Sequence, residues 1–71
     1  MTDSVYAVSE IVGTSTESWE KAAANAVERA SKTLRDLRVA EVVQLDLTIE
    51  AGTVQTYRAR LKVSFKYESR D

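Results

Sequence analysis

The hydrophobic rhythm of the chain changes twice. From Ser4 to Val12 apolar residues fall on both parities, with Val5, Ala7 and Ile11 on one side and Tyr6, Val8 and Val12 on the other. A run this rich in Val and Ile predicts a first strand, and a strand apolar on both faces is normally covered on both. One helix covers only one side of a small sheet, so the second cover points to a subunit interface.

From Thr16 to Leu37 the spacing turns helical. Trp19, Ala23, Ala26, Val27, Ala30, Leu34 and Leu37 form one apolar stripe. Thr14 and Ser15 are the candidate N-caps, and Thr14 with Glu17 fits a capping box. Glu17 with Lys21 and Glu28 with Lys32 are i,i+4 pairs in the favourable order.

From Arg38 onward period two returns. Val39, Val43, Leu45, Leu47 and Ile49 share a parity in the second strand, interrupted by Glu41. Ala51-Gly52 reads as a tight hairpin turn. In the third strand Tyr57, Ala59, Leu61, Val63, Phe65 and Tyr67 face one way, and Thr56, Arg58, Arg60, Lys62, Ser64 and Lys66 the other. The two glycines, Gly13 and Gly52, read as punctuation between elements.

These elements predict an α+β fold with the order β-α-β-β. The helix returns the chain so that strands one and two run the same way. Strand three, antiparallel to both, then sits between them in the order 1-3-2. The helix is expected on the odd-numbered face of strands two and three.

Size limits what such a fold can bury. The chain has 71 residues, room for a single domain over 1–71, and is 44% hydrophobic and 30% charged, an ordinary globular composition. A domain this small buries only about 60% of the surface its unfolded chain exposes. With no Cys and no His, disulfides are excluded and a structural zinc site is disfavoured. Self-association is the remaining source of stability. A net charge of −1 argues against nucleic acid as the main partner. No apolar run approaches the roughly 20 residues of a membrane span, and the first ten residues lack the features of a signal peptide, so a cytoplasmic protein is expected.

Candidate chemistry is sparse. The basic stripe Arg58, Arg60, Lys62 and Lys66 reads either as a solvated face paired across strands with Asp46 and Glu50, or as an anion site. An RNA-binding sheet would interleave aromatics with the charge, and here the aromatics of strand three lie on the other parity. Glu10 and Glu41 sit within apolar stretches and read as ion-pair partners of arginines across a subunit contact, or as cation ligands. Glu41, Asp46 and Glu50 share one strand, and calcium favours carboxylate oxygens. Trp19 reads as a core anchor or as a stacking platform for a planar ligand. No nucleophile–base pair and no Gly-rich phosphate loop is present, so no enzyme is expected.

Taken together, "VYAVSEIVGTS", an alanine-rich helix with "ERASKTLRDLR", then "AEVV" and "TYRARLKVSF" resemble the dodecins over nearly the whole chain, about Val5 to Tyr67. The resemblance implies a β-α-β-β subunit whose sheet partly wraps its helix. It also implies a hollow homododecamer that binds flavins such as riboflavin or FMN, or stores another small ligand, without catalysis. Residues matching the family's flavin pocket are Val39, Gln44 and Arg58. Val39 stands where typical members carry a stacking tryptophan, and Arg58 where they carry a glutamine that bonds the ring edge. Loss of an indole removes about 1–3 kcal/mol per stacked face, by analogy with base stacking. Arg58 is donor-only. "GTSTESWEKAAANAVERA", "RVAEVV" and "TYRARLKVSFK" look like the calcium-binding members, which also lack that tryptophan. That subgroup implies divalent-cation binding, with calcium expected over flavin; Glu10, Asp46 and Glu50 match acidic positions there, and Glu41 does not. In such a shell Arg58, Arg60 and Lys62 are expected to pair with carboxylates of neighbouring subunits.

Overall fold

The computed structural model describes residues 5–66. Its elements are β1 (Tyr6–Ser15), α1 (Trp19–Ala30), β2 (Leu37–Glu50) and β3 (Thr53–Lys66). The sheet is antiparallel with the order β1-β3-β2, as the sequence predicts. Ser4 and Tyr67, assigned to strands by their pattern, lie outside the described residues.

β1 runs through Gly13 to Ser15, so Gly13 is not punctuation. It pairs with Ala59, and a Cβ added there would stand 2.7 Å from Ala26 Cβ and run into the Ala22 carbonyl oxygen. Only a residue without a side chain lets the helix settle this closely on the sheet. Gly52 does punctuate. Ala51 and Gly52 have φ of 53° and 75°, both positive, which is the primed two-residue hairpin turn that matches strand twist.

The helix is shorter than its apolar spacing predicts. Ser18, not Thr14 or Ser15, is the N-cap: its hydroxyl accepts from the Lys21 amide at 3.0 Å. The proposed Thr14–Glu17 capping box does not form; the Glu17 amide donates instead to Ser15 Oγ at 2.9 Å. At the other end Ser31 Oγ donates to the Glu28 carbonyl at 2.7 Å, and the Lys32 and Thr33 amides turn back to the Arg29 and Ala30 carbonyls at 3.1 Å. These local bonds compete with helix continuation. Asp36 then adopts φ 63° and reverses the chain. Its carboxylate binds Arg38 at 3.2 Å, and that hydrogen bond, with the attraction between the charges, raises the Arg38 pKa further. Glu17 and Lys32 therefore lie outside α1, as do Leu34 and Leu37 of the expected stripe.

The second strand departs most from its pattern. Its pairing with β3 is irregular between Leu37 and Val39, Val42 and Gln44, and Thr48 and Ile49. Each irregularity resets which face a side chain takes. Ala40, Val42, Leu45 and Leu47 pair with Val63, Leu61, Ala59 and Tyr57, on the helix face. Val39, Glu41, Gln44 and Asp46 pair with Ser64, Lys62, Arg60 and Arg58, on the outer face. The single apolar parity expected from Val39 to Ile49 is thus split between two faces.

The core is small. Ala22 and Ala26 of α1 close on Ala59 and Leu61 of β3, with Ile11, Ala23 and Val27 packed around them, and Ala30 and Val63 are buried as well. The helix covers β1 and β3 and barely reaches β2. The expectation that it packs on both strands two and three therefore holds mainly for β3, with β2 touched only sparsely. Val42, Val43, Leu45, Leu47 and Ile49 stay exposed. The subunit measures 55 × 20 × 14 Å with a radius of gyration of 14.9 Å, against about 11 Å for a compact chain of this length.

Candidate functional site

The outer face of the sheet carries most of the residues singled out from the sequence. Strand pairing arranges them in rows across β1, β3 and β2. Thr14, Arg58 and Asp46 make one row, followed by Val12, Arg60 and Gln44, then Glu10, Lys62 and Glu41, then Val8, Ser64 and Val39. Directly paired residues share a face, so the first and third rows hold opposite charges, the second holds Arg60 beside Val12, and the fourth is uncharged.

Arg58 and Asp46 are the best-fixed pair. Nε of Arg58 donates to Asp46 Oδ1 at 2.9 Å, with 35% and 37% of the two side chains exposed. At that exposure the pair contributes at most about 1 kcal/mol to folding. Beneath it, Trp19 at the start of α1 donates from Nε1 to the Asp46 carbonyl at 3.0 Å and meets Tyr57 edge-on, with ring centroids 5.3 Å apart. Trp19 thus ties the start of the helix to β2, half-buried and outside the core cluster. The anchoring role of Asp46 has no signal in spacing, because its backbone supplies the acceptor.

Arg60 lies 3.7 Å from Glu10. Arg58 and Arg60 thus find carboxylates within their own chain, and Asp46 is the cross-strand partner that the alternation of charge allows for Arg58. Glu10 and Glu41 are exposed and face Lys62 from either side, so neither is a buried charge.

The candidate cation ligands do not converge. Glu50 pairs with Thr53 beside the hairpin turn, and at about 3.3 Å per residue it stands roughly 13 Å along β2 from Asp46. Glu10 lies on the opposite edge strand, against Lys62 rather than Arg58. Among the described residues no three Asp or Glu side chains are placed to hold one metal ion. The flavin-position residues behave alike. Gln44 adjoins Arg58 and Arg60, but Val39 is level with Ser64, six residues along β3 from Arg58 or roughly 20 Å. One planar ligand cannot touch both within one chain.

The family model for Dodecin matches residues 5–68. The chain belongs to the dodecin family. Among its relatives, the protein named Calcium dodecin from Mycobacterium tuberculosis is 51% identical over 63 residues, 89% of each chain. Dodecin from Thermus thermophilus is 44% identical over 64 residues, 90% of this chain and 93% of the relative. Among solved dodecin structures, that from Streptomyces coelicolor superposes with a TM-score of 0.91 at 43% identity, covering 99% of this chain and 100% of its own. The M. tuberculosis calcium dodecin, described as calcium chelating with a novel calcium-binding site, superposes with a TM-score of 0.81 at 48% identity, over 96% and 97% of the two chains. Dodecin membership and the β-α-β-β fold therefore stand together. No helix among the described residues is long and apolar enough to cross a membrane.

Proposed function

We propose that this dodecin assembles with identical copies into a closed homododecameric shell that binds and stores a small ligand in the cytoplasm, with calcium preferred over flavin and without catalysis. The carrying observation is the uncovered apolar row on β2. Leu45 is 49% exposed although its partner Ala59 is fully buried, so the sheet continues past the edge of its own cover. Other copies of the same surface are the natural cover in a family whose resemblance implies such shells.

Calcium takes six to eight oxygens at about 2.3–2.6 Å. The residues of one chain do not fit that demand, since Glu10, Asp46 and Glu50 stand apart. A calcium cage therefore has to draw oxygens from more than one copy. Support for calcium comes from the Calcium dodecin relative and from the departures at Val39 and Arg58.

Light scattering tests the assembly, and a folded particle of one chain at micromolar concentration defeats it. Calorimetry of chelator-treated protein tests the cation, and absence of heat at millimolar calcium removes it. Submicromolar quenching of riboflavin or FMN fluorescence reverses the order of the two ligands. A colourless, metal-free shell that gains no melting temperature from either leaves a purely structural assembly.

A further inference from the structure

We infer, on the assembly reading above, that the tip of the β2–β3 hairpin is a docking arm: residues 48–56 of one copy seat Ile49 and Val54 in the groove between β1 and α1 of a second copy, with Glu50 meeting Arg29 at its rim.

The register leaves this arm bare. β1 ends at Ser15 opposite Tyr57, so from Thr48 and Thr56 outward β2 and β3 pair only with each other. α1 does not extend over it, since Trp19 at the helix start is bonded to the Asp46 carbonyl and packed on Tyr57. Every residue from Ile49 to Gln55 is exposed. Ile49 and Val54 are directly paired, share a face, and are 66% and 43% exposed. A two-stranded hairpin is marginal by itself and is normally held by packing. Local bonds keep this one in shape: the Thr48 and Thr56 hydroxyls share a hydrogen bond, the Thr56 amide donates to Thr48 Oγ1 at 3.1 Å, and positive φ at Ala51 and Gly52 closes the turn. An apolar pair on a preformed arm binds another surface at low ordering cost.

The groove supplies that surface. It lies between β1 and the C-terminal half of α1, measures about 580 Å³, and has Ile11, Ala26, Ala30 and Leu34 on its walls and Arg29 at its rim. Within one chain the arm cannot reach it: Ile11 is level with Leu61, eight residues along β3 from Thr53 or roughly 26 Å. Charge selects this groove. Among the described residues neither Glu50 nor Arg29 has an ion-pair partner. A second apolar hollow, lined by Val27, Val39 and Val63, carries Arg38, whose guanidinium is already bonded to Asp36 at 3.2 Å. Opposite charges on the arm and at the groove, each beside apolar surface, set both partner and register.

Sedimentation velocity over a dilution series and disulfide trapping test this on the intact chain. Glu50→Lys or Arg29→Glu alone should weaken association about tenfold with unchanged far-ultraviolet dichroism, and the two together should restore it to within about twofold of the wild type. The chain has no cysteine, so trapping is free of background. A chain carrying both Val54→Cys and Leu34→Cys should form covalent multimers after diamide oxidation, while each single-cysteine variant stays one chain under denaturing conditions. Single charge variants that sediment like the wild type, a double variant no better than the singles, failed trapping, or multimers from one cysteine alone each overturn this docking while the wild-type assembly stands. A wild type that sediments as one chain removes the assembly reading along with it.

Discussion

Replacing Leu45 with glutamate places a charge in the middle of the uncovered row on β2. The side chain shares the helix face with Ala59 but lies beyond the reach of α1, and it is 49% exposed in the isolated subunit. Half a leucine side chain amounts to roughly 80 Å², so covering it with a neighbour contributes about 1–2 kcal/mol per copy. A carboxylate at the same place costs several kcal/mol more if buried without a partner. The two together come to about 5 kcal/mol, more than a thousandfold in an association constant. The fold of the subunit itself should survive, because Leu45 adds little to the core formed by Ala22, Ala26, Ala59 and Leu61. Sedimentation velocity at micromolar concentration should therefore show the assembly broken into smaller species with unchanged far-ultraviolet dichroism. Leu45→Ala, which loses only the apolar contact, should weaken the assembly without dissolving it. A Leu45→Glu protein that sediments like the wild type would refute the claim that this row is an interface.

The remaining predictions concern the subunit. Gly13→Ala should lose about 2–3 kcal/mol in chemical denaturation, because the new methyl collides with Ala22 and Ala26 and α1 must lift off β1. Ala51→Asn should gain roughly 0.5–1 kcal/mol, seen as a higher melting temperature, since asparagine tolerates positive φ better than alanine. Ser18→Ala should cost about 1 kcal/mol through loss of the cap on Lys21, whereas Thr14→Ala should cost little, because only the Thr14 carbonyl is engaged, by Asn25 at 3.1 Å.

The order of elements, the strand order and the hairpin turn were legible because they rest on period and on local turn chemistry. Ala51-Gly52 announces its turn in two residues. The helix ends were not legible, because the apolar spacing continues through Leu34 and Leu37 while the hydroxyls of Ser31 and Thr33 and the positive φ of Asp36 stop the helix. Gly13 was misread for a related reason: a glycine between two apolar runs resembles a break until Ala22 and Ala26 are seen against it. The Arg58–Asp46 pair was foreshadowed as cross-strand pairing, since both residues alternate with apolar neighbours. Its register depends on the irregularity between Val42 and Gln44, which no periodicity in the sequence marks. Convergence of a ligand site was the least legible feature, because residues matched one by one to a family pattern carry no distances, and Val39 and Arg58 prove to be far apart on one sheet.

The irregular pairing of β2 bears on the kind of assembly this surface can make. A strand with all its apolar residues on one face needs one partner, and a two-fold dimer satisfies it. β2 does not have that form. Val42, Leu45 and Leu47 open on the helix face, while Val39 opens on the outer face across Ser64 from Val8, which is itself exposed on β1. Two apolar patches on opposite sides of a three-stranded sheet cannot meet the same neighbour, so covering both takes two different contacts. Identical subunits joined by two different contacts build closed groups larger than a dimer, or else open fibres. Charge on the outer face favours closure. Arg58 and Arg60 find Asp46 and Glu10 within the same chain, and Lys62 stands in register between Glu10 and Glu41, which leaves that face nearly neutral and free of the repulsion that packing like-charged faces together would bring. On the proposed reading, the intrachain pairing of the arginines is therefore a condition for the shell: each subunit neutralises its own outer face, and the contact between copies rests on valines and leucines.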